Sequence, residues 1–279
     1  MTLVATPGRK TSAQTMNTFI AQSAAGGQVH ASPGEALRAH LSAVYALTEA
    51  SAYIFASPLG PFEIDGRTAF LPRFVFFGPH ASDQSWRLAF LAGFSGGDLR
   101  SSHALLALVE RLFRESETGN GLHLALFPVV DAGSVFLDAP NRGLASGHWG
   151  RANAPEIEIL ERDSRLQSYH GFVRIETAPK GESIATLRVR GTATDVLSPD
   201  LELISTDETG PIPVRFEACS GRNESGPLSV ADDLPFTPFE LTLSLPADWP
   251  DAIYQNAAGL LLQRFLWRYR AFQAYGQNL

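Results

Sequence analysis

One cysteine and two methionines stand in a chain of 279 residues, and Lys10 and Lys180 are its two lysines. Cys219 has no second thiol to pair with, so a cystine-stapled scaffold is excluded. Clustered positive charge is missing as well: 22 basic residues, almost all scattered arginines, face 29 acidic ones for a net charge of −7. A phosphate backbone needs concentrated positive charge, so a nucleic-acid surface is not expected. No apolar run approaches the ~20 residues needed to span a bilayer. The stretch from Met1 to Gln28 also lacks a charged segment followed by an apolar one. The expectation is therefore no membrane association and a cytoplasmic location, with which an unpaired cysteine is compatible.

The remainder is the composition of a folded domain, with 44% hydrophobic and 18% charged residues. Residues 1–31 are polar and weakly periodic and are expected to form a flexible arm. Residues 32–279 are expected to form a single domain. Ser32-Pro33-Gly34-Glu35 has the form of a capping box with proline at the first helical position. Leu37, Leu41, Val44 and Leu47 then recur at three- and four-residue spacing, which predicts a helix. Tyr53–Phe55, Phe62–Ile64 and Phe74–Phe77, separated by the Ser57-Pro58-Leu59-Gly60 and Asp65-Gly66 turns, read as hairpin strands. Leu88–Ala92 and Leu122–Val130 are continuous apolar runs flanking a helix that begins near Asp98. That alternation predicts a mixed, mostly parallel sheet covered by helices on both faces, a three-layer α/β/α architecture.

Residues 131–155 read as a long loop, followed by a helix over Glu156–Tyr169. Strands are predicted at Phe172–Glu176, Leu187–Arg190, Leu201–Ile204, Val214–Glu217 and Phe239–Leu245. A final helix runs from Pro250 to about Tyr275, on which Phe265, Trp267 and Tyr269 are expected to pack toward the sheet.

Two constellations carry chemistry. Gly93-x-Ser95-x-Gly97 between a buried strand and a helix has the context of a nucleophile elbow. A serine hydroxyl needs a base and an orienting carboxylate, for which Asp131 with His148 or His170 are the candidates. The bland reading makes Ser95 a turn residue, Asp98 a helix N-cap, and His103 and His123 structural histidines on a helix and a strand.

Taken together, the segments from Tyr53 onward resemble the zinc carboxypeptidases and their succinylglutamate desuccinylase/aspartoacylase relatives. Ser57-Pro58-Leu59-Gly60 resembles the S-x-x-G-R turn of that family. Leu91-Ala92-Gly93-Phe94-Ser95-Gly96-Gly97-Asp98 resembles its G-x-H-G-x-E metal loop, and Phe127 to Gly133 its P-x-x-N-P-x-G stretch. Asn141-Arg142 to Gly150-Arg151 is similar to R-x-N-x-x-G-x-D-L-N-R, and Phe239 to Ser244 to the late T-x-E strand. The matches fall in order over roughly four-fifths of the chain.

The resemblance implies a zinc hydrolase site, but its key positions differ here. The two histidine ligands fall on Ser95 and Glu176, the glutamate ligand on Asp98, and the general base on Ser244. A serine hydroxyl is a poor substitute for imidazole, and Ser244 cannot accept a proton near neutral pH as a carboxylate does. No cofactor is therefore expected, with zinc returning only if His103, His123, His148 or His170 restores a site. The resemblance also implies that Arg142 and Arg151 hold a substrate carboxylate, for which a planar guanidinium is suited, and Asp98 or Glu176 could pair with such arginines. Two readings stay open: a carboxypeptidase-like domain that binds a peptide or small carboxylate without zinc hydrolysis, or an active hydrolase using a rearranged metal site or Ser95.

Overall fold

The computed structural model describes residues 33–137, 144, 154–191, 212–219 and 238–276. The expected arm at 1–31, the cap residue Ser32 and the expected strand at Leu201–Ile204 lie outside these residues.

The first helix, α1 (Pro33–Glu49), buries Leu37, Leu41, Val44 and Tyr45 completely. The spacing of these residues places them on one stripe. The chain then forms β1 (Ile54–Ala56), a hairpin of β2 (Leu59–Ile64) and β3 (Arg67–Leu71), and β4 (Phe74–Phe77). Asp65 and Gly66 both take positive φ between β2 and β3, as a tight hairpin turn requires. β3 was not expected from the sequence. It pairs antiparallel with β2, Phe62 opposite Ala69, with a register shift between Leu59 and Phe62.

Next come β5 (Arg87–Leu91), α2 (Leu99–Arg114), β6 (His123–Phe127) and a short helix α3 (Ala132–Phe136). The expected loop at 131–155 is thus corrected at its start: Asp131 caps α3 by accepting hydrogen bonds from the Ser134 backbone and hydroxyl. After α4 (Pro155–Gln167) follow β7 (Gly171–Thr177), β8 (Ala185–Arg190), β9 (Val214–Cys219), β10 (Phe239–Leu245) and α5 (Asp251–Gly276).

Eight strands make one mixed sheet in the order β1-β4-β6-β5-β7-β10-β8-β9. Its centre, β6-β5-β7-β10, is parallel throughout. Leu88–Leu91 and Leu124–Phe127 are buried without alternation, which means that both faces of the sheet are covered. The connection from β5 to β6 runs one way along the sheet and that from β6 to β7 the other. The right-handed crossover rule therefore puts α2 and α4 on opposite faces. α1 and α5 pack with α2. On α5, Phe265 and Tyr269 are buried against Phe239, whereas Trp267 is 58% exposed. Two residues past Phe265 the helix has turned by about 200°, so Trp267 does not pack on the sheet as expected.

Candidate functional site

Because the four central strands are parallel, their carboxyl ends share one edge of the sheet. There the loops after β5 and β6 meet the last residues of β7 and β10. The chain leaves β5 at Gly93 with φ of 67°. A Cβ there would lie 2.4 Å from Ser102 Oγ and 2.9 Å from the Pro128 carbonyl, so glycine is required on two grounds. The Gly93 carbonyl accepts the Asp131 N–H at 2.8 Å, which locks the two loops together.

Ser95 follows in the turn, and its Oγ accepts the Gly97 N–H at 3.2 Å. The left-handed residue of this turn is Gly93, not Ser95. A nucleophile elbow places its serine at the strained position, and this turn does not. Asp98 is the N-cap of α2, accepting from the Ser101 N–H. Its carboxylate also takes the backbone N–H of Thr177 at 3.0 Å and the Thr177 hydroxyl. One side chain thus starts α2 and ties it to the end of β7. The Thr177 hydroxyl continues to Tyr254 Oη at 3.0 Å, where burial pushes the phenol pKa up.

Glu176 and Ser244 are opposite each other on β7 and β10. Ser244 Oγ donates to Glu176 Oε1 at 2.6 Å. The other Glu176 oxygen accepts from Arg174 Nη2 at 3.0 Å, and Arg174 Nη1 donates to Glu240 at 2.9 Å. Arg174 and Glu240 are nearly inaccessible, at 6% and 2% exposure, and the Phe94 ring lies 5.0 Å from the Arg174 guanidinium. Residues two apart on a strand face the same side, so Arg174, Glu176, Glu240 and Ser244 form one polar row across the two central strands.

The structure therefore brings Glu176 and Ser244 into contact and places Asp98 on the neighbouring Thr177. Arg142 and Arg151, the expected anion binders, and His148 lie outside the described residues. Sequence reasoning missed Arg174 and Glu240. The available signal was that Arg174 and Glu240 are charged residues flanked by apolar neighbours in the two strands.

The histidines are placed by other contacts. His123 stacks on Phe77 at 4.3 Å between ring centres, and burial lowers its pKa to about 4, with the Arg87 and Arg73 charges adding to the shift. His170 Nδ1 accepts the Arg87 N–H at 3.1 Å, and its ring lies 4.8 Å from Trp86. Its pKa also falls to about 4, first from burial and then from the Arg87 charge. His103 faces His40 across the α1–α2 junction, with the two Nδ1 atoms 2.8 Å apart.

Zinc does not fit the donors at the strand ends. Both Asp98 oxygens are committed to Thr177 and Ser101, both Glu176 oxygens to Arg174 and Ser244, and no imidazole is among these contacts. Among the described residues there is no group of three or more His, Cys, Asp or Glu side chains able to hold a metal ion. Such a donor set lacks the nitrogen ligands that zinc favours.

The same architecture occurs in solved structures. A metallo-carboxypeptidase from Burkholderia cenocepacia superposes with a TM-score of 0.63 at 14% identity, covering 84% of this chain and 68% of its own. This is a carboxypeptidase-like fold. A metallo-carboxypeptidase from Pseudomonas aeruginosa, solved in complex with (2-guanidinoethylmercapto)succinic acid, gives a TM-score of 0.60 at 14% identity over 83% of this chain and 68% of that one. An aspartoacylase family protein from Mesorhizobium loti gives 0.52 at 14% identity over 76% and 66%. No family model matches the sequence, and no curated protein sequence matches it. The carboxypeptidase-like likeness is one of fold.

Proposed function

We propose that this carboxypeptidase-like domain does not perform zinc hydrolysis and instead holds a peptide or small carboxylate at the carboxyl edge of its sheet, in the cytoplasm. The observation that carries this reading is the Arg174–Glu176–Ser244 contact. It satisfies the carboxylate at an expected ligand position and leaves a hydroxyl where the resemblance requires a base. A serine bonded to a carboxylate that is itself held by arginine is not activated for attack, because the carboxylate is too weak a base near neutral pH.

The described part of the edge carries Asp98 and Glu176, with Arg174 and its buried partner Glu240 set back along the strands. A ligand carboxylate is repelled by that balance unless further cations meet it, and this reading assigns that task to Arg142 and Arg151. The test is to measure bound zinc in purified protein, together with release of C-terminal amino acids with and without chelator. Sub-stoichiometric zinc and no chelator-sensitive turnover are expected. Stoichiometric zinc with chelator-sensitive release would establish the hydrolase reading instead. For the ligand, N-acetyl amino acids should raise the melting temperature of the wild type but not of Arg151→Ala, and an equal shift in both would remove the arginine from the site.

A further inference from the structure

Away from the strand ends, α1 and α2 meet through an unusual pair. His40 Nδ1 and His103 Nδ1 are 2.8 Å apart, with ring centres 5.1 Å apart and ring planes 16° apart. An imidazole nitrogen sits about 1.1 Å from its ring centre. The centre-to-centre distance is therefore close to the largest possible for that contact, and the two rings lie nearly coplanar and end to end. Each nitrogen's in-plane direction points at the other. This is the arrangement of an N–H···N hydrogen bond. A metal on the line along which the two nitrogens face each other would sit about 1.4 Å from each, well inside the ~2.0 Å of a zinc–imidazole bond.

Proton accounting follows from the outer atoms. His40 Nε2 faces Glu110 Oε1 at 3.2 Å, so it carries a proton that it donates to the carboxylate. In the neutral pair His40 Nδ1 then accepts, and His103 Nδ1–H donates. One added proton goes to His103 Nε2 without disturbing the bridge. A second must go to His40 Nδ1, where two N–H groups would oppose each other between two imidazolium rings.

We propose that His40 and His103 share one bridging proton and make the α1–α2 junction a charge-limited latch, closed with zero or one charge and opened when both rings are protonated. The surrounding charges are consistent with this limit. On α2, Glu110 favours a first charge on the pair and is itself approached by Arg114 at 3.9 Å. Arg100, also on α2, is paired with Asp251 at the start of α5 at 2.9 Å. Both Arg100 and Asp251 line the small cavity beside the two histidines, together with Gln255. One acid, Glu110, directly contacts the pair, so one charge is matched and a second is not. Burial, then the His40 charge, lower the His103 pKa, with Asp251 opposing.

The test is a titration of 15N-labelled imidazole nitrogens in the full chain between pH 4 and 8, with amide exchange of α1 read in parallel. The wild type should titrate in two separated steps, the lower requiring at least tenfold more protons than an ordinary histidine, and α1 exchange should rise only below the pH of that step. In His103→Gln the second, lower step should disappear. Two independent steps at the ordinary value in the wild type would overturn the latch. So would broadening of both Nδ1 signals by equimolar zinc at pH 7, which would mean that they hold a metal. The wild-type titration decides the matter even if a variant folds poorly.

Discussion

Arg174 is the residue on which the polar row depends. Its guanidinium is the partner of Glu240, which is 2% exposed, so removing it strands a carboxylate in a low-dielectric setting. Breaking a buried ion pair from one side typically costs about 3–5 kcal/mol, whereas replacing both partners by apolar groups costs far less. Arg174→Met is therefore expected to lose about that much stability in urea denaturation, and Arg174→Met with Glu240→Leu to recover most of it. Equal stability of the single and double variants would show that the pair is not coupled. Half of this row was legible beforehand, since the resemblance pointed to Glu176 and Ser244 but not to Arg174 and Glu240. Asp98 was readable as a cap because Asp before an apolar-periodic run is a local signal. Arg174 and Glu240 depend on the parallel register of strands 66 residues apart, which no local pattern encodes.

At the scale of elements, α2 is held at both ends of its function by Asp98, which caps its own helix and binds Thr177 on β7. Asp98→Ala should cost about 2–3 kcal/mol, a cap together with a charge-assisted hydrogen bond. Asp98→Asn, which keeps an acceptor oxygen, should cost about 1 kcal/mol. Chemical denaturation checks both, and equal costs would mean that the charge, not the acceptor geometry, sustains the tie. The elements themselves were largely readable. β5, α2 and β6 stand out because continuous apolar runs flank a 3.6-residue period. β3 escaped because Arg67 and Thr68 begin it with two exposed polar residues, and α3 because five residues are too few to show a period. The inward sense of Trp267 was misread by treating neighbouring aromatics as one face, although Phe265 and Tyr269 are a helical turn apart and Trp267 lies between them.

For the whole molecule, acid should be destabilising. His123 and His170 have folded pKa values lowered to about 4, against about 6.5 in the unfolded chain. Below pH 6.5 the unfolded state binds more protons than the folded one, so stability is fully present above that pH and falls as pH drops toward 4. Each group is partly solvated, so the loss is on the order of 1–2 kcal/mol per histidine after screening. Denaturation midpoints at pH 7 and pH 5 should differ accordingly, and His170→Asn should flatten part of the slope. A pH-independent midpoint across this range would contradict the burial of both rings. Across the described residues no helix is long and apolar enough to cross a membrane.

The sheet order has a consequence for how the chain is made. β10 lies between β7 and β8, yet it leaves the ribosome after both of them. Until it emerges, β7 and β8 have no correct neighbour on their facing edges, and α5, which covers Phe239, is not yet synthesised. Early closure of the gap between β7 and β8 would shut out the late strand, because pairing between distant segments is slow and exposed edges invite misassembly. The central sheet therefore completes only once β10 has emerged, out of the order in which its strands are made.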